Sequence, residues 1–276
     1  MGHDQLFKAI LEKFFKDFLE LFFPDLAERL DLGTVQFLDK ELTIDFPRGT
    51  TREVDVVARL ETHQGEPEIV LVHVEVQSRP EKDFARRMFE YSALLWLRDQ
   101  APIFPVVLCL QGGKGLTEEE FQLSLFGREL FRFRYASVGL AHLRAEEYFR
   151  TGPLGAGLAA LMNRRKAGDP AVLRTDVERR VAASGLDEAR KGLLLDVIAT
   201  YLELSDDERE RYETLISRKE YRIVQELKLT WSDRMREEGR EEGREAGLIE
   251  GKRERRKSGW KRPWIYFNKL KTRIQS

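Results

Sequence analysis

The first 140 residues carry alternating helical and strand-like patterns of apolar side chains. In 3–23 and again in 81–98, apolar residues recur every three or four positions, a spacing that predicts two amphipathic helices. Between them, the pattern predicts a second short helix over 24–31 and a strand near 41–46. The strict period-two alternation expected of longer strands begins after these elements.

Two alternating segments, 53–60 and 68–77, predict neighbouring strands joined by a short turn, and antiparallel pairing is the simplest arrangement. The apolar segment 102–110 predicts a buried strand, a helix is expected near 117–125, and 131–138 predicts a further strand. Helices and strands in this order indicate a mixed α/β fold.

Strand patterns end near residue 140, and amphipathic helical stretches follow up to residue 230. Glycine, glutamate and arginine then dominate a low-complexity stretch, and the chain ends in a basic tail. The sequence therefore predicts four parts: a mixed-sheet domain over 1–145, a helical subdomain over 146–230, a repeat helix over 231–251, and a tail over 252–276.

Composition places the chain among globular proteins, with 42% hydrophobic and 34% charged residues. A single cysteine, Cys109, excludes a disulfide framework and any cysteine-cluster metal site. No apolar run approaches the roughly 20 residues of a membrane span, and the N-terminus does not resemble a secretory signal. We therefore expect a cytoplasmic protein with no membrane partner.

The net charge of −1 conceals two opposed parts. Residues 251–276 hold ten Lys or Arg against one acidic residue, a net of +9, so residues 1–250 carry −10. The distribution of charge, rather than its total, therefore bears on the choice of partner.

Polar side chains interrupt the two predicted strands. Period two places Glu75 and Gln77 on one face at the end of an apolar strand, and Asp55 on the neighbouring strand can face them. Carboxylates on an apolar sheet are costly to bury unless something pairs with them, and Mg²⁺ or Mn²⁺ takes such oxygen ligands. The carbonyl of Val76 would point into the same site. A solvent-facing side of the sheet fits the same periodicity.

These residues resemble a known nuclease signature. Asp55, followed twenty residues later by Glu-Val-Gln on an apolar strand, is similar to the PD-(D/E)xK pattern in its (D/E)xQ form. Over residues 1–140, five motifs in order resemble the Rpn family of recombination-promoting nucleases, also described as putative transposases. They are HDQLFK at 3–8, REVDVVARL at 52–60, VHVEVQS at 72–78, DFARRMFEYSALL at 83–95 and PIFPVVLCL at 102–110.

The resemblance implies a fold and a metal site. The fold is a PD-(D/E)xK-like mixed central sheet flanked by helices, followed by an all-helical C-terminal region. Asp55 and Glu75, with the Val76 carbonyl, would bind Mg²⁺ or Mn²⁺. Gln77, which stands where the signature usually has lysine, would position the attacking water through hydrogen bonds alone.

Three further residues are candidates through the same resemblance. Arg87 and Tyr91 lie one turn apart on the predicted helix 81–98 and could hold a DNA phosphate. A surface arginine fits Arg87 equally, and a core tyrosine is the better interpretation of Tyr91. Glu12 on the opening helix could be an accessory acid, although a solvent-facing glutamate is the commoner interpretation.

The activity implied is that of a metal-dependent DNA endonuclease, linked to recombination or transposition. The alternative is a nuclease fold without catalysis that serves as a DNA-binding or assembly protein. In 231–251, glycines recur every fourth residue and would form one stripe on a helix, which fits either self-association or a solvated helix. The tail interleaves basic and aromatic residues, which fits either a DNA-binding arm or a solvated extension.

Overall fold

The computed structural model describes residues 3–44, 50–63, 69–164 and 168–234, together with residues 236 and 240. Its strands are β1 Leu30–Phe37, β2 Glu41–Ile44, β3 Thr50–Glu53, β4 Val56–Thr62, β5 Ile69–Gln77, β6 Ile103–Cys109, β7 Leu116–Leu125 and β8 Arg128–Gly139. Its helices are α1 His3–Lys13, α2 Phe15–Phe22, α3 Pro24–Ala27, α4 Phe84–Asp99, α5 Ala145–Tyr148, α6 Pro153–Leu158, α7 Pro170–Ala182, α8 Glu188–Tyr201 and α9 Asp206–Ile216.

Six strands form one mixed sheet in the order β1-β4-β5-β6-β8-β7. β4 and β5 form the predicted antiparallel hairpin, and β5 then pairs with β6 in parallel through the crossover helix α4. β6 and β8 are also parallel, whereas β7 and β8 form an antiparallel hairpin at the edge. β2 and β3 pair separately as a two-stranded ribbon.

Helix α4 covers one face of the sheet. Its Met88 packs with Val107 of β6, and its Leu95 packs with Val57 of β4. This is the face on which period two places His73, Glu75 and Gln77, because Val57 lies directly opposite His73 in the ladder. The polar residues of β5 are therefore covered by a helix, and the prediction of a solvated sheet face is wrong for them.

The C-terminal helices pack on the opening helices. α8 contacts α1, with the rings of Phe7 and Tyr201 at 5.8 Å between centroids, and α6 contacts α2. The chain up to Gln225 forms one compact unit. The mixed sheet flanked by helices and the helical region that follows it confirm the predicted fold class.

A second unit begins at Glu226, and its described part is helical over residues 226–234. Most of the predicted repeat helix and the whole of the basic tail 252–276 lie outside the described residues. Within the described part of the chain, every helix is too short or too polar to cross a lipid bilayer.

Two elements differ from the predictions. The segment 117–125, expected to be a helix, lies in strand β7, where the outward-facing Glu118 and Glu120 pair with arginines of β8 and Phe121 packs inward. Pairing with β8 therefore overrides the helix propensity of three consecutive glutamates. Strand β1, partly predicted as helix, has an irregular register between Asp31 and Gln36 and so lacks a clean alternation.

Candidate active site

The backbones of β4 and β5 bring Asp55 and Glu75 together. Asp55 lies at the bend immediately before β4, opposite Glu75. Its backbone N–H donates to Glu75 Oε1 (3.0 Å), and its own Oδ2 accepts from the backbone N–H of Val76 (2.7 Å). The Asp55 carboxylate thus extends the ladder just before β4 begins, and a backbone N–H holds each of the two carboxylates in position.

A backbone carbonyl faces the same point. The carbonyl of Gln77 accepts from Leu110 N (2.8 Å), on the β6 side of β5. Successive residues of a strand direct their N–H and C=O groups to opposite neighbours, so Val76 directs both groups toward Asp55. The structure therefore places the Val76 carbonyl on the same edge as the two carboxylates.

His73 supports Glu75 from beneath α4. It is fully buried, and its Nε2 lies 2.9 Å from Glu75 Oε1. An ionised carboxylate only accepts, so Nε2 carries the proton in this bond. The contact between His73 and Glu75 holds the carboxylate in one orientation.

Lys8 of α1 reaches the same carboxylates. Its Nζ lies 2.8 Å from Asp55 Oδ1, with the two side chains 30% and 16% exposed. The sequence did not single out Lys8, although it belongs to the HDQLFK motif. Lys8 lies one helical turn before Glu12, the residue that the resemblance had suggested for this region.

Gln77 connects the site to α4. With the amide in the orientation that gives both of its polar atoms a partner, its oxygen accepts from Nη2 of Arg87 and its nitrogen donates to the carbonyl oxygen of Arg79 (3.3 Å). Arg87 also donates from Nη1 to Glu81 Oε2 (2.8 Å) and lies over the ring of Phe84. The two predicted residues therefore form one hydrogen-bonded unit, with Arg87 one-third exposed.

The other two candidates have different surroundings. Tyr91 is buried among Val54, Val57 and Leu95, and its ring meets the edge of His73 at 5.9 Å. Glu12 is exposed and accepts a hydrogen bond from Lys40 Nζ (2.6 Å). In the described residues, no hydrogen bond or ion pair joins Glu12 to Asp55 or Glu75.

The donor set can be tested against a divalent cation. Among the described residues, no group of three or more His, Cys, Asp and Glu side chains is arranged to hold a metal ion. Asp55, Glu75 and the Val76 carbonyl are nonetheless three oxygen groups on one edge, and Mg²⁺ commonly takes one or two carboxylates and keeps several waters. The Lys8 ammonium shows that Asp55 already attracts a cation. These residues therefore fit a hard divalent cation, and their metal-binding role stays a prediction.

A comparison with known protein families tests the resemblance proposed from the sequence motifs. Residues 1–124 match a family described as "Putative transposase, YhgA-like". Over this stretch the chain is similar to that family. The matched range runs from α1 into β7 and includes every candidate site residue, so the predicted family resemblance is confirmed. No curated protein and no solved structure matches the chain.

The family supports a role connected with transposition or recombination, in which DNA is the partner. Everything C-terminal to residue 124, including most of the β7–β8 hairpin and the C-terminal helices, lies beyond the match. The candidate site thus lies within the family match, whereas the described residues after 124 are characterised by the structure alone.

Proposed function

We propose that this protein is a metal-dependent DNA endonuclease that hydrolyses phosphodiester bonds. The observation that carries the proposal is a pair of hydrogen bonds between Asp55 and β5, in which the Asp55 N–H donates to Glu75 Oε1 and the Val76 N–H donates to Asp55 Oδ2. These bonds hold the two carboxylates beside each other, on the side of β5 that also carries the Val76 carbonyl, inside a segment matched by a transposase family. Carboxylates held this way need a cation or a set of donors to offset their charge.

Asp55, Glu75 and the Val76 carbonyl would hold Mg²⁺ or Mn²⁺. When bound, the metal ion would lower the pKa of a water molecule and stabilise charge on the phosphate. His73 keeps Glu75 in one orientation through the 2.9 Å bond to Oε1, and the Val76 N–H does the same for Asp55. The chain therefore supplies a preorganised set of oxygens, although Lys8 would have to leave Asp55 Oδ1 when the metal binds.

Gln77 and Arg87 would act next to this set. Gln77 is held by Arg87 and by the Arg79 carbonyl, so its amide has a fixed direction, and it can orient a water molecule but contributes no charge. Arg87 is partly exposed and can exchange Glu81 for a DNA phosphate. Tyr91 is proposed to position His73 and, through it, Glu75.

Plasmid nicking in Mg²⁺ or Mn²⁺ tests this function, with Glu75→Gln as the main variant. The amide preserves the shape of the side chain but removes the charge that the metal needs. Glu61→Gln, an exposed glutamate on the neighbouring strand β4, is the matched control. We expect wild type and Glu61→Gln to nick the plasmid and Glu75→Gln to lose activity at least a hundredfold, the scale of lost electrostatic stabilisation. Full activity in a folded Glu75→Gln protein would overturn the site.

A second candidate function is a nuclease fold that binds DNA without cutting it. It is favoured by one observation: Lys8 already neutralises Asp55, and Gln77 and Arg87 already bond to each other. Absence of nicking by the wild type in either metal, with DNA binding retained, would favour this candidate. Self-association through 231–251 is proposed on the sequence pattern alone.

A further inference from the structure

A cavity opens beside Gln77 on the sheet face that α4 covers. Its volume is about 390 Å³, within the range of about 300–1,000 Å³ typical of small-molecule pockets. It lies between the start of α4 and strands β6, β7 and β8. The lining residues that matter are Gln77, Phe84, Glu119, Phe121, Tyr135 and Ser137.

Aromatic side chains form its apolar wall. Phe84 and Tyr135 meet edge to face, with 6.3 Å between ring centroids, and Tyr135 is almost fully buried. Phe121 is held by Phe89, which stacks on its ring at 5.7 Å between centroids, and by Phe131, which meets it edge to face at 5.8 Å. Fixed aromatic faces of this kind bind the flat face of a nucleobase, and such stacking tolerates every base.

The polar groups of the cavity favour a ligand that donates hydrogen bonds. Tyr135 donates its hydroxyl to Glu119 Oε2 (3.1 Å), and no described residue donates to the other carboxylate oxygen. Burial and the nearby Glu119 raise the pKa of Tyr135, so the hydroxyl keeps its proton. Ser137 is 2% exposed and adds a hydroxyl-bearing side chain to the lining of the cavity.

Charge excludes a phosphate as the occupant. Glu81, Asp83 and Glu119 all line the cavity, and Arg86 is its one basic lining residue among those described. An anionic group would therefore meet net negative charge, whereas an exocyclic amine would meet a carboxylate acceptor. Carboxylates are used in this way to accept from base amino groups.

We propose that this cavity receives one unpaired nucleobase of the DNA strand beside the cleavage site and prefers a base with an exocyclic amine. Glu119 accepts from the amine, Ser137 bonds the base edge, and the aromatic wall stacks on its face. Adenine, cytosine and guanine carry such an amine. Thymine lacks one, and its single N3–H lies between two carbonyl oxygens that meet Glu119 unfavourably. This inference rests on the proposed function, because Gln77 joins the cavity to the candidate active site.

The test measures binding without cleavage. Fluorescently labelled oligo-dA, oligo-dC and oligo-dT of equal length are titrated with the full chain in Ca²⁺, followed by anisotropy. We expect oligo-dT to bind about tenfold more weakly than the other two, the scale of one hydrogen bond to a charged group. Glu119→Gln has an amide that both donates and accepts, so it should bind the three oligonucleotides with similar affinity. Glu118→Gln, the exposed neighbour on the opposite face of β7, should leave the preference unchanged.

Equal binding of the three oligonucleotides by the wild type would overturn the pocket, as would a thymine penalty that persists in Glu119→Gln. If Glu119→Gln fails to fold, Phe121→Leu takes its place and should weaken binding of all three, while unchanged binding would refute the stacking wall. Base discrimination without plasmid nicking would refute the endonuclease but keep the pocket. Nicking without discrimination would refute the pocket alone.

Discussion

The contact between Lys8 and Asp55 makes a quantitative prediction about metal affinity. If Asp55 is a metal ligand, a divalent cation must displace the Lys8 ammonium from Oδ1, 2.8 Å away. Replacing Lys8 by methionine keeps the apolar stem of the side chain and removes the competing charge. We therefore expect Lys8→Met to bind Mn²⁺ more tightly than the wild type.

The exposure of the pair sets the size of the effect. Ion pairs open to solvent contribute about 0.2–1 kcal/mol. Lys8 is 30% exposed and Asp55 only 16%, which places this pair near the upper end of that range. If the metal no longer has to break an ion pair of about 1 kcal/mol, its Kd should be about fivefold lower. Isothermal titration of the full chain with Mn²⁺ measures this difference without reference to cleavage.

Lys40→Met is the matched control. Lys40 pairs with Glu12 through a 2.6 Å contact, its side chain is 29% exposed, and its loss changes the net charge equally. Its Kd for Mn²⁺ should equal that of the wild type. Tighter binding by Lys40→Met would instead assign Glu12 to the metal, as the family resemblance suggested. Unchanged or weaker binding by a folded Lys8→Met protein would refute the competition and, with it, the assignment of Asp55.

Three further predictions concern stability. Phe126→Asn should raise the melting temperature by about 2–4 °C, and an unchanged or lower value would contradict this. Phe126 and Gly127 both have positive φ (51° and 78°) in a two-residue hairpin loop, a geometry that favours Asn-Gly. Relief of the strain at Phe126 should stabilise the fold by about 1 kcal/mol. Tyr212→Phe should lower the free energy of unfolding, measured by urea denaturation, by about 2 kcal/mol. The hydroxyl that it removes donates to the fully buried carboxylate of Glu178 (2.6 Å). A change below about 0.5 kcal/mol would contradict this reasoning. Burial and Glu178 raise the pKa of Tyr212 above its ordinary value of about 10. The free energy of unfolding of the wild type should therefore fall as the pH rises above 10, and that of Tyr212→Phe should fall less steeply.

Local periodicity was enough to predict the centre of the candidate site. Alternation put Glu75 and Gln77 on one face, and the short turn between the two strands indicated the antiparallel pairing that lets Asp55 face them. The structure adds the reason why Asp55 stands there, since its carboxylate accepts from a backbone N–H that β4 leaves unpaired. A side-chain bond of this kind depends on where the strand bends, which a period-two pattern does not encode.

Contacts between distant segments were the part that could not be predicted. Lys8 and Glu12 share a helix face, but which of them reaches β4 depends on how α1 docks. The cavity proposed to bind a nucleobase could not be predicted from the sequence for a similar reason. Its Glu119 lies in a segment whose glutamates favour a helix, and only pairing with β8 turns that side chain toward Tyr135.

The basic side chains of the candidate site are already engaged before any DNA arrives. Lys8 bonds to Asp55, and Arg87 bonds to Gln77 and Glu81, so each phosphate contact must replace a contact within the protein. Residues 1–250 also carry a net charge of −10, which repels the DNA backbone at long range. Attraction therefore has to come from another source, and the ten basic residues of 251–276 are the sequence feature suited to supply it. Catalysis and recruitment would then belong to separate segments of the chain, the first within the family match and the second outside it.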